Sequence, residues 1–167
     1  MNADQKANLK NVSIAALSFT FLFGIIETFI VGIAYAVIAA PIAGLVFGLL
    51  MYLFVNSKKV KEQTALTKND QDGIIYSGAA NHFKNAEAVG GKLYLLSDRV
   101  EFKSHGFNIQ NHSFSIYLNE IKELGLYKTM GIVPNGLKII LSNGEVEKFV
   151  VNSRATWKTE IEKLVKV

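Results

Sequence analysis

The 167-residue chain carries a formal charge of +4, a sequence pI of about 9.2 and no cysteine. The missing thiols exclude disulfides, thiol nucleophiles, cysteine zinc sites and palmitoylation. The mild lysine excess, with no arginine-rich stripe or helix-turn-helix pattern, argues against the usual nucleic-acid modules and suits anionic headgroups near a bilayer.

Residues 1–11 form a polar leader containing Lys6 and Lys10, without the glycine that myristoylation requires. Residues 12–55 are apolar apart from Glu27. A single helix of that length would reach about 66 Å, against roughly 30 Å of hydrocarbon, so the run predicts a transmembrane helical hairpin. The turn is expected at Val31-Gly32-Ile33-Ala34, between spans 12–31 and 34–55. Glu27 then falls near the far interface and has no ionisable partner in the run.

In the second span Ala36, Ala40, Gly44 and Gly48 recur every four residues, a helix-packing face with a formal GxxxG. The first span is the expected occupant of that face, and a homodimer is the alternative. Lys6 and Lys10 before the run, with the juxtamembrane basic residues Lys58, Lys59 and Lys61 after it, place both termini in the cytoplasm by the positive-inside rule.

Residues 56–72 are polar, of mixed charge, and read as a juxtamembrane linker. From residue 73 to 167 the pattern changes to short alternating strands, the mark of an antiparallel sandwich or barrel. A first strand runs from Ile74 towards Phe83. Strands at 91–96 and 99–104 form a hairpin in which Val100 and Phe102 point inward while Glu101 and Lys103 point out. Further strands are expected at 113–118 and 121–128. Val133-Pro134-Asn135 supplies a turn before 136–141, and Asn143-Gly144 a hairpin turn before 146–151. Asn152 or Ser153 can cap a final helix whose Trp157, Ile161, Leu164 and Val165 share one stripe. About seven strands and one terminal helix give an α+β chain, a hairpin of helices followed by a pleckstrin-homology-like (PH-like) barrel with its helix across one open end.

The segment Gly90-Gly91-Lys92-Leu93-Tyr94-Leu95-Leu96-Ser97-Asp98-Arg99-Val100-Glu101-Phe102 resembles the "GxLYLTxxRLxF" hairpin of GRAM domains, a branch of the PH superfold. Residues 107–112, Ile116 to Ile121 (similar to the family's "IPLxDI") and Gly136-Leu137-Lys138-Ile139 follow in the same order. The resemblance implies a non-catalytic module for membrane lipids or proteins; no cofactor is expected, and the positive-inside rule puts the module in the cytoplasm.

For an anionic headgroup the candidates are Lys84, Lys92, Arg99, Lys103 and His105, whose N–H groups can converge on phosphate with charge assistance. The expected partners are the bilayer and anionic phospholipid headgroups. A protein-interaction adaptor and a small subunit of a larger membrane complex are the alternative readings. The histidines His82, His105 and His112 show no metal-ligand spacing and are expected on loops or strand surfaces. With no GxSxG elbow, Walker sequence or HExxH, no catalytic or metal site is expected.

Overall fold

The structure is a computed structural model that describes residues 3–84 and 87–165. The chain forms two compact units, Met1–Lys61 and Glu62–Val167. In the first, α1 (Ala3–Ile30) and α2 (Ile33–Asn56) form a helical hairpin. Helix α1 starts well before the apolar run, because its leader holds no glycine or proline to stop the helix. The turn falls where expected: Gly32 has φ +114°, a conformation costly for other residues, and its N–H closes onto the Glu27 carbonyl.

The small-residue face of α2 packs on α1. Ala36, Ala40 and Gly44 are buried, and a Cβ on Gly48 would lie 3.0 Å from that of Ala16. Phe19 and Phe47 stack across the pair at 4.6 Å. That face is occupied by α1, which removes the ground for a homodimer through it. Apolar side chains on the outward surfaces, among them Phe21, Phe29, Leu45 and Leu49, are exposed. Both helices are long and apolar enough to cross a bilayer.

Helix α2 stops at Asn56, where Ser57 turns to extended backbone, and α3 (Lys58–Thr64) and α4 (Lys68–Gln71) follow. Residues 62–72, expected as linker, are part of the second unit. Leu66 packs with Tyr94 and Leu96, and the Tyr94 hydroxyl donates to the Thr64 carbonyl at 2.6 Å.

The second unit is a curled seven-stranded antiparallel sheet in the order β4-β3-β2-β1-β7-β6-β5. Its strands are β1 (Tyr76–Lys84), β2 (Glu87–Leu95), β3 (Arg99–Ser104), β4 (Ser113–Tyr117), β5 (Ile121–Thr129), β6 (Val133–Leu141) and β7 (Val146–Val151). A single turn of 3-10 helix, Leu118–Glu120, joins β4 to β5. Alternation does what the sequence predicts in β3, where Val100 and Phe102 are buried and their neighbours half-buried.

Val133-Pro134-Asn135 is not the turn. The turn lies at Met130 and Gly131, both at positive φ, and Pro134 is the second residue of β6, opposite a register shift between Tyr127 and Thr129. A proline is tolerated there because the irregular ladder asks no donor of it.

Helix α5 (Arg154–Glu162) buries Trp157 and Ile161 in the core, with Leu164 and Val165 packed against it. Trp157 meets Tyr76 edge-on at 4.7 Å. Ser153 takes the N-cap position but in the left-handed region, so its side chain makes no capping bond.

Candidate functional site

In an antiparallel sheet of this order the β1–β2, β3–β4 and β6–β7 connections emerge at one end. The β3–β4 loop, residues 105–112, is braced by side-chain hydrogen bonds. Asn108 clamps it to β2: its Oδ1 accepts from the Gly90 N–H at 2.9 Å, and its Nδ2 donates to the carbonyls of Gly90 at 2.8 Å and His105 at 2.7 Å. The Gly106 N–H donates to Gln63 Oε1 at 2.8 Å. Ser104 and His112 close the loop's base, the Ser104 hydroxyl accepting from the His112 N–H and the Ser104 N–H donating to the His112 carbonyl.

Held this way, the loop turns Phe107 and Ile109 into solvent, Ile109 being 94 % exposed. Beside them Gln63, Ser104, Gly106, Asn111, His112 and Ser113 line an open polar hollow of about 310 Å³. Hydroxyl and amide groups can hydrogen-bond a phosphate or polyol there, while both ring nitrogens of His112 are engaged by His82 and the Gln110 carbonyl.

Arg99 is committed to ion pairs. Its guanidinium is held by three carboxylates, Asp70 at 2.8 Å, Asp98 at 3.1 Å and Glu101 at 3.1 Å, and its pKa is raised, first by the Asp70 hydrogen bond. An arginine so neutralised has little field or fork left for phosphate. It fastens residues 62–72 to the sheet instead.

Lys103 and Lys92 are direct cross-strand partners on the same outer face. The Lys103 ammonium donates to the Ala65 carbonyl at 2.9 Å, and that of Lys92 sits 5.2 Å from the centre of the Tyr94 ring. His105 lies over Gly90, and burial lowers its pKa. Lys84 ends β1, and its side chain lies outside the described residues. Lys58, Lys59 and Lys61 are exposed on α3. The structure therefore gathers Lys92, Lys103 and His105 near the β3–β4 loop and takes Arg99 away from it.

His82 departs from the surface position expected of it. It is only 5 % exposed, packed among Phe102, Phe114 and Phe149, and bonded to His112 and Glu147. The signal was in β1 itself, since Ala80 and His82 share the inward parity of the strand. Asn108 and Gln63 carried no comparable signal. Among the described residues no group of His, Asp or Glu is arranged to hold a metal ion.

No protein-family model matches the chain, and no curated protein does. Among solved structures it is similar to the C-terminal domain of an unknown protein from Leishmania infantum, with a TM-score of 0.50 and 16 % identity over 58 % of this chain and 89 % of that one. It is also similar to the Slm1-PH domain in complex with phosphoserine (TM-score 0.47, 12 % identity, 57 % and 99 % covered). A third similar structure is the Vps36 N-terminal PH domain (TM-score 0.44, 13 % identity, 55 % and 77 % covered). At such identities the likeness concerns the fold alone. By its strand order and terminal helix, the second unit has a PH-like fold.

Proposed function

We propose that the chain is a membrane-anchored, non-catalytic binding module whose GRAM-like unit recognises anionic membrane lipid at the cytoplasmic face. The α1–α2 hairpin is the anchor in this reading, and Lys58, Lys59 and Lys61 lie at the cytoplasmic headgroups.

The observation that carries the proposal is the β3–β4 loop. A rigidly clamped loop that exposes Phe107 and Ile109 beside a polar hollow, with Lys92 and Lys103 on the adjoining strands, has the layering of a bilayer interface. The apolar tip suits the acyl boundary, the hydroxyl and amide groups suit the headgroup phosphates, and the lysines add attraction of about 1 kcal/mol each near an anionic surface.

Flotation of the unit Glu62–Val167 with neutral or anionic liposomes, at low and high salt, tests this. Binding to anionic liposomes alone is expected, weakened by salt as the Debye length shrinks from about 8 Å to 3 Å, and lost in Phe107→Ser plus Ile109→Ser. A folded unit that floats with neither liposome would overturn lipid recognition and leave the protein-adaptor reading in its place.

A further inference from the structure

The interior of the barrel near the β3–β4 loop contains a continuous hydrogen-bonded chain that lipid recognition does not use. His82 Nε2 lies 2.6 Å from Glu147 Oε2, His82 Nδ1 lies 2.8 Å from His112 Nε2, and His112 Nδ1 lies 3.1 Å from the Gln110 carbonyl oxygen. The chain ties β1 to β7 on one side and to the end of the β3–β4 loop on the other.

Apolar groups surround it. His82 pairs in register with Val89 of β2 and Phe149 of β7, and the Phe102 and Phe114 rings of β3 and β4 pack on its own ring. The titratable groups described as facing His82 are His112, just before β4, and Glu147 of β7. His105 lies apart, over Gly90. The hollow beside His112 is lined by uncharged groups.

Donor and acceptor counting fixes how many protons this chain needs. The Gln110 carbonyl can only accept, so His112 Nδ1 carries a hydrogen. An ionised Glu147 can only accept, so His82 Nε2 carries one as well. The His82–His112 contact needs a third hydrogen between two nitrogens that would otherwise meet as lone pairs. Two neutral imidazoles supply only two. If Glu147 is protonated instead, the total is the same: the three bonds need one proton more than two neutral rings and a carboxylate hold.

We propose that His82, His112 and Glu147 form a proton-dependent latch on the β3–β4 loop, closed when the trio holds this additional proton and broken at the His82–His112 link when it is lost. The latch goes beyond lipid recognition and does not depend on it. The closed latch holds one proton more than the broken one, so it adds stability at lower pH and the addition disappears as pH rises.

The test uses the full chain in nanodiscs of neutral lipid, with thermal unfolding followed by the fluorescence of Trp157, the chain's one tryptophan, buried in the core. Glu147→Gln is the informative variant. Its amide N–H can donate to His82 Nε2, which lets His82 Nδ1–H donate to His112 and completes all three bonds with two neutral rings.

Between pH 5.5 and 8 the wild-type melting temperature should fall relative to that of Glu147→Gln by about 5 °C. Amide exchange of residues 105–112, corrected for the intrinsic rate, should accelerate about tenfold in wild type alone. His105 and every other titrating group is common to both proteins and cancels in the difference. His112→Gln closes the chain without the extra proton in the same way and replaces Glu147→Gln should that variant fail to fold. Melting curves that move in parallel with pH in wild type and variant would overturn the latch.

Discussion

Asn108→Ala removes the clamp on which the presentation of Phe107 and Ile109 depends. Three hydrogen bonds disappear together, to the Gly90 N–H, the Gly90 carbonyl and the His105 carbonyl. Each is worth about 1 kcal/mol net. The site is half-buried, so water recovers part of the loss, and about 2 kcal/mol of destabilisation is expected. For a unit of this size that lowers the melting temperature by about 10 °C. Urea unfolding read by Trp157 fluorescence measures the loss, and amide exchange in residues 105–112 shows whether the loop opens before the barrel. Asn108→Asp keeps the acceptor for the Gly90 N–H but sets a carboxylate oxygen against the Gly90 and His105 carbonyls, so it should destabilise at least as much as alanine. A stability change under about 0.5 kcal/mol, with unchanged exchange in the loop, would refute the clamp.

At Gly91 an added Cβ would lie 2.2 Å from the Lys103 carbonyl oxygen and 2.8 Å from the Ser104 Cα, so Gly91→Ala should force β2 from β3 and cost about 2 kcal/mol. An unchanged urea midpoint would count against that packing. The Asp70 carboxyl is held below the usual carboxylate range, first by the Thr67 hydroxyl and then by Arg99. Its contribution to stability is present above that range and is lost as pH falls through the depressed value. Asp70→Asn should therefore remove part of the acid sensitivity below about pH 4, and acid unfolding curves that superimpose would contradict the assignment. In the hairpin, a Cβ on Gly44 would fall 1.7 Å from Thr20 Oγ1. Since the chain has no native cysteine, an engineered Ala16→Cys plus Gly48→Cys pair should cross-link once the helices ease apart by about half an ångström, and adding Gly44→Leu should abolish the cross-link. No cross-link in the Gly44 parent would show that α1 is not the partner of that face.

Local patterns in the sequence carry much of the second unit. The span of β3, the span of β7 and the turn at Gly144 follow from alternation and from a residue that accepts positive φ. The Trp157 and Ile161 stripe needed only helical spacing. These features depend on neighbours a few residues apart, which a linear reading contains.

The turn before β6 lies away from the residues that favour it locally, for a related reason. Proline and asparagine favour turns locally, yet strand pairing kept them at the start of β6 and moved the reversal to Met130 and Gly131. The role of residues 62–72 was hidden because Leu66, Asp70 and Thr64 acquire meaning only against Tyr94, Leu96 and Arg99, about thirty positions away. Arg99 shows the consequence: in the sequence it is a cation near a hairpin, and in the fold it is a neutralised fastening.

The sequence by itself determined the strand alternation, the apolar hairpin with its turn at Gly32 and the absence of thiol chemistry, because each rests on composition or short-range periodicity. Only the tertiary structure decided which charges are spent on one another, that Asn108 holds the β3–β4 loop, and that His82 meets both His112 and Glu147. Those outcomes rest on distances between strands remote in sequence, and hydrogen bonds and ion pairs depend on ångström-scale geometry that residue type alone does not contain.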